Sequence, residues 1–117
     1  MKILLVDDEK KFVSSLAERL TMRGIDADWC TTCEEAMEKS ASGFYDIAVL
    51  DVKMPHMSGI ELKKEIEAKS PAMRFIFVTG HGSEESYKAG TREASSYIIK
   101  PFKIDTLIDK ITELRGN

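Results

Sequence analysis

The sequence predicts an α/β layer fold built on a parallel sheet, and three observations carry that prediction. Short β-rich runs alternate with helix-like stretches, strand then helix, five times over. Three of the runs are continuously apolar, as expected of strands covered on both faces. Parallel neighbours need crossover connections, and these are right-handed, so the helices are expected on both faces of the sheet.

The first strand is expected at Ile3 to Val6. A helix follows, because Phe12, Leu16 and Leu20 recur at four-residue spacing with Val13 and Ala17 beside them. Gly24, just after Arg23, is a stop signal. Ile25 to Cys30 alternates apolar and polar, which predicts a half-exposed strand at a sheet edge. Thr32 and Glu35 have capping-box spacing ahead of Ala36 and Met37, and Ser58 and Glu61 repeat it ahead of Leu62 and Ile66. Ile47 to Leu50 and Phe75 to Val78 are the third and fourth strands, with a break at Ser70-Pro71 between them. The helix predicted between Ser83 and Glu93 carries Gly90 and Thr91 and is followed by Ser95-Ser96, so it reads as short or irregular. Tyr97 to Ile99 is the fifth strand. After the break at Lys100-Pro101, Ile104, Leu107, Ile108 and Ile111 share one face of a last helix.

A chain of 117 residues is the size of one domain, and residues 1–117 are read as one. That length buries a core without disulfide or metal staples. An apolar share of 43% and a charged share of 32% suit a soluble globular protein. The net charge of -3 argues against direct nucleic-acid binding, which leaves a basic footprint. No apolar run approaches the ~20 residues of a membrane helix. The apolar stretch at the N-terminus is too short for a signal peptide, and two aspartates follow it. The expected compartment is the cytoplasm, where Cys30 and Cys33 would be reduced.

In open α/β sheets ligands bind beyond the carboxyl ends of the strands. Asp7 and Asp8 follow the first apolar run, Asp51 the third, Thr79 the fourth and Lys100 the fifth. Taken singly, each has an ordinary reading: a cap or turn for the aspartates and the threonine, a solvated or paired side chain for the lysine. Together they place three carboxylates, a hydroxyl and an ammonium along one edge. Clustered carboxylates raise one another's pKa. Mg²⁺ relieves this, since it prefers oxygen ligands and is typically held by one or two carboxylates plus a phosphate. A carboxylate is also a nucleophile toward phosphorus. Lys100 and the metal would neutralise a transferring phosphoryl group, and Thr79 would donate to it. No obvious general base for hydrolysing other substrates stands among these residues.

Four segments then carry a resemblance. They are Ile3-Leu4-Leu5-Val6-Asp7-Asp8-Glu9; Val49-Leu50-Asp51-Val52-Lys53-Met54-Pro55 with Ser58-Gly59-Ile60-Glu61-Leu62; Phe77-Val78-Thr79-Gly80-His81-Gly82; and Tyr97-Ile98-Ile99-Lys100-Pro101-Phe102. In this order and spacing they closely resemble the response-regulator receiver domain of two-component signalling, over essentially the whole chain. The resemblance implies a flavodoxin-like doubly wound (βα)5 fold with a five-stranded parallel sheet in the order 2-1-3-4-5. It implies that Asp51 is the phosphoacceptor, that Asp7 and Asp8 bind Mg²⁺, and that the backbone carbonyl of Lys53 completes the protein's share of the metal shell. It further implies that Lys100 pairs with the phosphoryl group before a cis bond to Pro101. Thr79 and Tyr97 would form a switch pair that alters the surface of the last two strand-helix units. The implied partners are a histidine kinase or phosphotransfer protein, and an output domain or protein target. Two departures fall on the output side: Glu93-Ala94 stands where many relatives have Gly-Ala, and the segment from Thr79 to Lys100 is about one residue shorter than usual.

Lys53 and His81, two residues beyond Asp51 and Thr79, would border the phosphoryl group. Competing readings are less economical. A Mg²⁺-dependent phosphatase with an aspartyl nucleophile commonly has a second acid two residues on, where Lys53 stands here. A nucleotide-binding domain would show a Gly-rich loop after the first strand. Trp29-Cys30-Thr31-Thr32-Cys33 superficially resembles a thioredoxin-type redox site, which requires a thiol of lowered pKa. Zinc is disfavoured, because His56 and His81 are remote in sequence from the cysteines.

Overall fold

The computed structural model describes residues 1–80 and 96–116. The elements are β1 (Lys2–Val6), α1 (Lys10–Met22), β2 (Asp26–Cys30), α2 (Cys33–Ser42), β3 (Ile47–Asp51), α3 (Gly59–Lys69), β4 (Arg74–Thr79), β5 (Ser96–Ile99) and a last helix, here α4 (Ile104–Gly116). All strands are parallel, in the order β2-β1-β3-β4-β5. The order that the resemblance implied is therefore the one found. The helix expected between Ser83 and Glu93 lies outside the described residues, as do His81 and Glu93-Ala94.

Period-two alternation along the buried strands divides the core in two. Ile3 and Leu5, Ile47 and Val49, Ile76 and Val78, and Ile98 point toward α1 and α4. Leu4 and Val6, Ala48 and Leu50, and Phe75 and Phe77 point the other way, toward α2 and α3. Both faces of the three central strands are covered, which is why their sequences are continuously apolar. β2 lies at the edge and is mostly half-exposed, as its alternation predicts.

The two capping signatures are functional caps. The Glu35 N–H donates to Thr32 Oγ1 at 3.1 Å and the Glu61 N–H to Ser58 Oγ at 3.2 Å. Gly24 adopts a positive φ of 83° just past α1. Two helix faces differ slightly from the periodicity. The buried stripe of α1 is Val13, Leu16, Ala17 and Leu20, with Phe12 only half-buried. Phe12 sits in the first turn, at the rim of the core cluster it packs against, and meets Phe102 edge-on at 5.9 Å. On α4 the buried stripe is Leu107, Ile111 and Leu114, and Ile104 and Ile108 flank it. Among the described residues, no helix is long and apolar enough to cross a membrane.

The chain reverses its direction of travel between β1 and β3, since β2 lies on one side of β1 and β3 to β5 on the other. At such a switch point the loops after the two strands diverge and leave a crevice. Asp7 and Asp8 follow β1 and Asp51 ends β3, so the topology itself brings these carboxylates to the crevice.

Candidate functional site

Each side chain at the crevice is held by its own loop. Asp7 N–H donates to the Cys30 carbonyl at 3.2 Å, and Asp7 Oδ1 accepts from the Glu9 N–H at 2.9 Å. Asp51 is the last residue of β3; Val52 N–H donates to the Val78 carbonyl, and Lys53 N–H donates to Asp51 Oδ1 at 3.2 Å. Gly59 opens α3 against this strand end. A Cβ there would lie 2.3 Å from the Asp51 carbonyl oxygen, so glycine is required by close backbone approach.

Asp7, Asp8 and Asp51 each place a carboxylate oxygen within 4.8 Å of the others. Asp7 and Asp51 are buried and Asp8 is exposed. Lys100 reaches this trio from the far side of the sheet. Its Nζ lies 2.6 Å from Asp7 Oδ2, 3.0 Å from Glu9 Oε1 and 3.7 Å from Asp51 Oδ2. It also stands over the Phe12 ring, 4.6 Å from the centroid. The Lys100 N–H donates to the Thr79 carbonyl at 2.7 Å, and the Lys100–Pro101 peptide bond is cis. Thr79 is buried at the end of β4. Tyr97 is at the border of exposure on β5, paired in register with Phe77. The Lys53 side chain is exposed.

The electrostatics follow from burial and proximity. Desolvation, followed by the neighbouring Asp7 charge, pushes the Asp51 carboxyl up to about 6. Burial also raises Asp7, against the pull of its hydrogen bonds to Lys100 and to the Glu9 backbone. Burial by itself would lower Lys100; its bonds to Asp7 and Glu9 and the charge of Asp51 outweigh that and raise it. The pocket thus holds more negative charge than its lysine balances.

The sequence-predicted residues Asp7, Asp8, Asp51, Thr79 and Lys100 meet at one edge of the sheet, and Lys53 borders them through its backbone. Tyr97 alternates with the buried Ile98 along β5, so its side chain points to the opposite face of the sheet. Glu9 and Phe12 were missed as neighbours of Lys100. The only sequence signal for Glu9 was its place directly after the acidic pair. The cysteines do something else. Burial drives Cys30 up to about 12 and, with the charges of Glu34 and Glu61, raises Cys33. Both are free thiols in the core and lack the lowered pKa that redox work needs. A cavity of about 450 Å³ opens at the opposite end of the sheet, by Phe44, Tyr45, Met73 and Leu114, and contains none of the three clustered carboxylates.

A sequence model of the response regulator receiver domain matches residues 3–112. The chain belongs to the response regulator receiver family. Among curated proteins, the two-component response regulator PhoP of Pseudomonas aeruginosa is 30% identical over 115 residues, which cover 97% of this chain and 51% of that protein. Among solved structures, a CheY-like receiver domain protein of Methanospirillum hungatei is 32% identical, with a TM-score of 0.90 and coverage of 98% of this chain and 94% of that one. The response regulator TrrA of Thermotoga maritima, solved in complex with Mg²⁺ and BeF, is 35% identical with a TM-score of 0.85, and the match covers 97% of each chain. This receiver domain spans about half the length of the first curated relatives it matches.

Proposed function

We propose that this receiver domain accepts a phosphoryl group on Asp51 from the phosphohistidine of a histidine kinase or phosphotransfer protein. The observation that carries the reading is the buried, electron-rich Asp51 carboxylate lying between two other carboxylates and a lysine, with Lys100 Nζ 3.7 Å from its Oδ2. An Asp51 carboxylate oxygen attacks phosphorus as the phosphorus–nitrogen bond of the donor breaks. The donor imidazole leaves with that electron pair and is protonated. Lys100 follows the charge onto the phosphoryl oxygens, and the Thr79 hydroxyl donates to one of them.

The donor set fits a hard divalent cation. Three carboxylates close together, two of them with pKa values raised by burial and repulsion, form a site that a cation stabilises and that oxygen-preferring Mg²⁺ suits. Asp7, Asp8, Asp51 and the Lys53 backbone carbonyl would hold it. When bound, it would neutralise charge on the reacting oxygens.

In this reading the chain catalyses only its own phosphorylation and dephosphorylation, in the cytoplasm, as a single receiver domain over residues 1–117. Thr79 and Tyr97 transmit the change to the surface of the last two strand-helix units, where an output domain or protein target would bind. The named functions of the relatives, response regulators and transcriptional regulatory proteins, support that direction. The test is intact-mass analysis after incubation with Mg²⁺ and either acetyl phosphate or a competent kinase. A single phosphoryl adduct is expected on the parent and none on Asp51→Asn; an equal adduct on the variant refutes the assignment.

A further inference from the structure

Glu9 is the N-cap residue of α1, with φ -85° and ψ 91°, yet its side chain makes no capping hydrogen bond. N-caps are ordinarily Ser, Thr, Asp or Asn, whose side-chain oxygen accepts a free N–H of the first turn. Here the carboxylate reaches away from its own helix and accepts from Lys100 Nζ at 3.0 Å, across 91 positions of sequence. An ammonium has three N–H donors. Asp7 takes one at 2.6 Å and Glu9 another, while Asp51 at 3.7 Å is beyond hydrogen-bond distance. The Phe12 ring stands beside the ammonium, 4.6 Å from centroid to Nζ, and is itself braced edge-on by Phe102.

We propose that Glu9 is a positioning residue, a latch that together with Asp7 parks Lys100 short of Asp51 until the phosphoryl group arrives. This rests on the reading of Asp51 as phosphoacceptor. Glu9 lies outside the carboxylate trio, so a cation held there leaves its bond to Lys100 available. The latch is weak by construction. Glu9 has a 65% exposed side chain, and such pairs are screened by water. It is therefore released when a dianion on Asp51 competes for the ammonium. Its effect is to raise the cost of the phosphorylated state slightly and so to lower the fraction of domains switched on at a given kinase activity.

The experiment measures affinity for beryllofluoride at saturating Mg²⁺ by titration calorimetry, on the full chain. Glu9→Gln removes the charge with little change of shape and should bind roughly two- to fivefold more tightly, the range an exposed ion pair supports. Glu9→Asp keeps the charge but is shorter and prefers to cap its own helix, so it should match the Gln variant and melt higher than the parent. In a Lys100→Met background, Glu9→Gln should have no effect. An unchanged affinity in Glu9→Gln overturns the latch. So does parent-like affinity in Glu9→Asp beside tightening in Glu9→Gln, or tightening that survives without Lys100; both would make Glu9 only a source of diffuse negative charge. If the parent takes up no beryllofluoride, the phosphoacceptor reading falls and the latch with it. Uptake by the parent with the Glu9 variants unmoved removes the latch alone.

Discussion

Replacing Asp51 by Asn should stabilise the metal-free domain, and the size of the effect follows from the site. The Asp51 carboxylate is 7% exposed, and burial together with the Asp7 charge pushes its pKa up to about 6. In an unfolded chain the value is ~3.9. The folded state therefore holds this proton more tightly than the unfolded state does. Its contribution favours folding fully below about pH 4 and is lost as pH rises through ~6. A gap of about two units sets a ceiling near 3 kcal/mol. Relaxation of Lys100 and partial solvation of the cleft reduce this, so Asp51→Asn is expected to gain ~1–2 kcal/mol near neutral pH. For a domain of this size that is a rise of roughly 4–10 °C in Tm. Asparagine keeps an oxygen to accept the Lys53 N–H, so the local turn should survive. The assay is thermal and urea unfolding followed by circular dichroism, with a chelator present, at about pH 7.5 and about pH 4.5. The gap should fall to under half at the lower pH. Excess Mg²⁺ should stabilise the parent more than the variant, because the variant has lost one of three clustered carboxylates. A variant no more stable than the parent at the higher pH, or a gap independent of pH, would refute the electrostatic account of this cleft.

Other consequences are local. Gly59→Ala puts a Cβ 2.3 Å from the Asp51 carbonyl oxygen, so α3 or the end of β3 must move; a loss of about 1–3 kcal/mol in urea unfolding is expected. Ser58→Ala removes the acceptor for the Glu61 N–H and should cost ~1 kcal/mol by the same measurement, with the site unchanged. Cys30 and Cys33 should label with a thiol reagent far more slowly in the native chain than in urea across neutral pH, since burial raises both thiols; a native thiol reacting at the unfolded rate would show that the core around α2 is open.

Much of the site was legible because parallel α/β topology converts sequence position into place. A residue just beyond a buried apolar run stands at the carboxyl edge of the sheet, wherever that strand falls in the order. Asp7, Asp51, Thr79 and Lys100 could therefore be assembled from four separate runs. The caps at Thr32 and Ser58 were legible for a related reason: a cap is a contact across three residues, well within the reach of a sequence pattern. The edge position of β2 followed from its alternation, since one face of an edge strand meets water.

What the residues alone left open was partnership. The strand order came from the family resemblance, because apolar runs say that a strand is buried and not which neighbour buries it. The tertiary structure decided which anion Lys100 touches: the loop after β5 returns toward α1, which brings Glu9, Asp7 and Phe12 to the ammonium and leaves Asp51 a little too far. It also decided that Phe12 meets Phe102 of this loop edge-on, and that Gly59 must be bare where α3 meets β3. The physical reason is range. Periodicity and capping act over a few residues, whereas an ion pair between positions 9 and 100 exists only after five strands have fixed the distance between their ends.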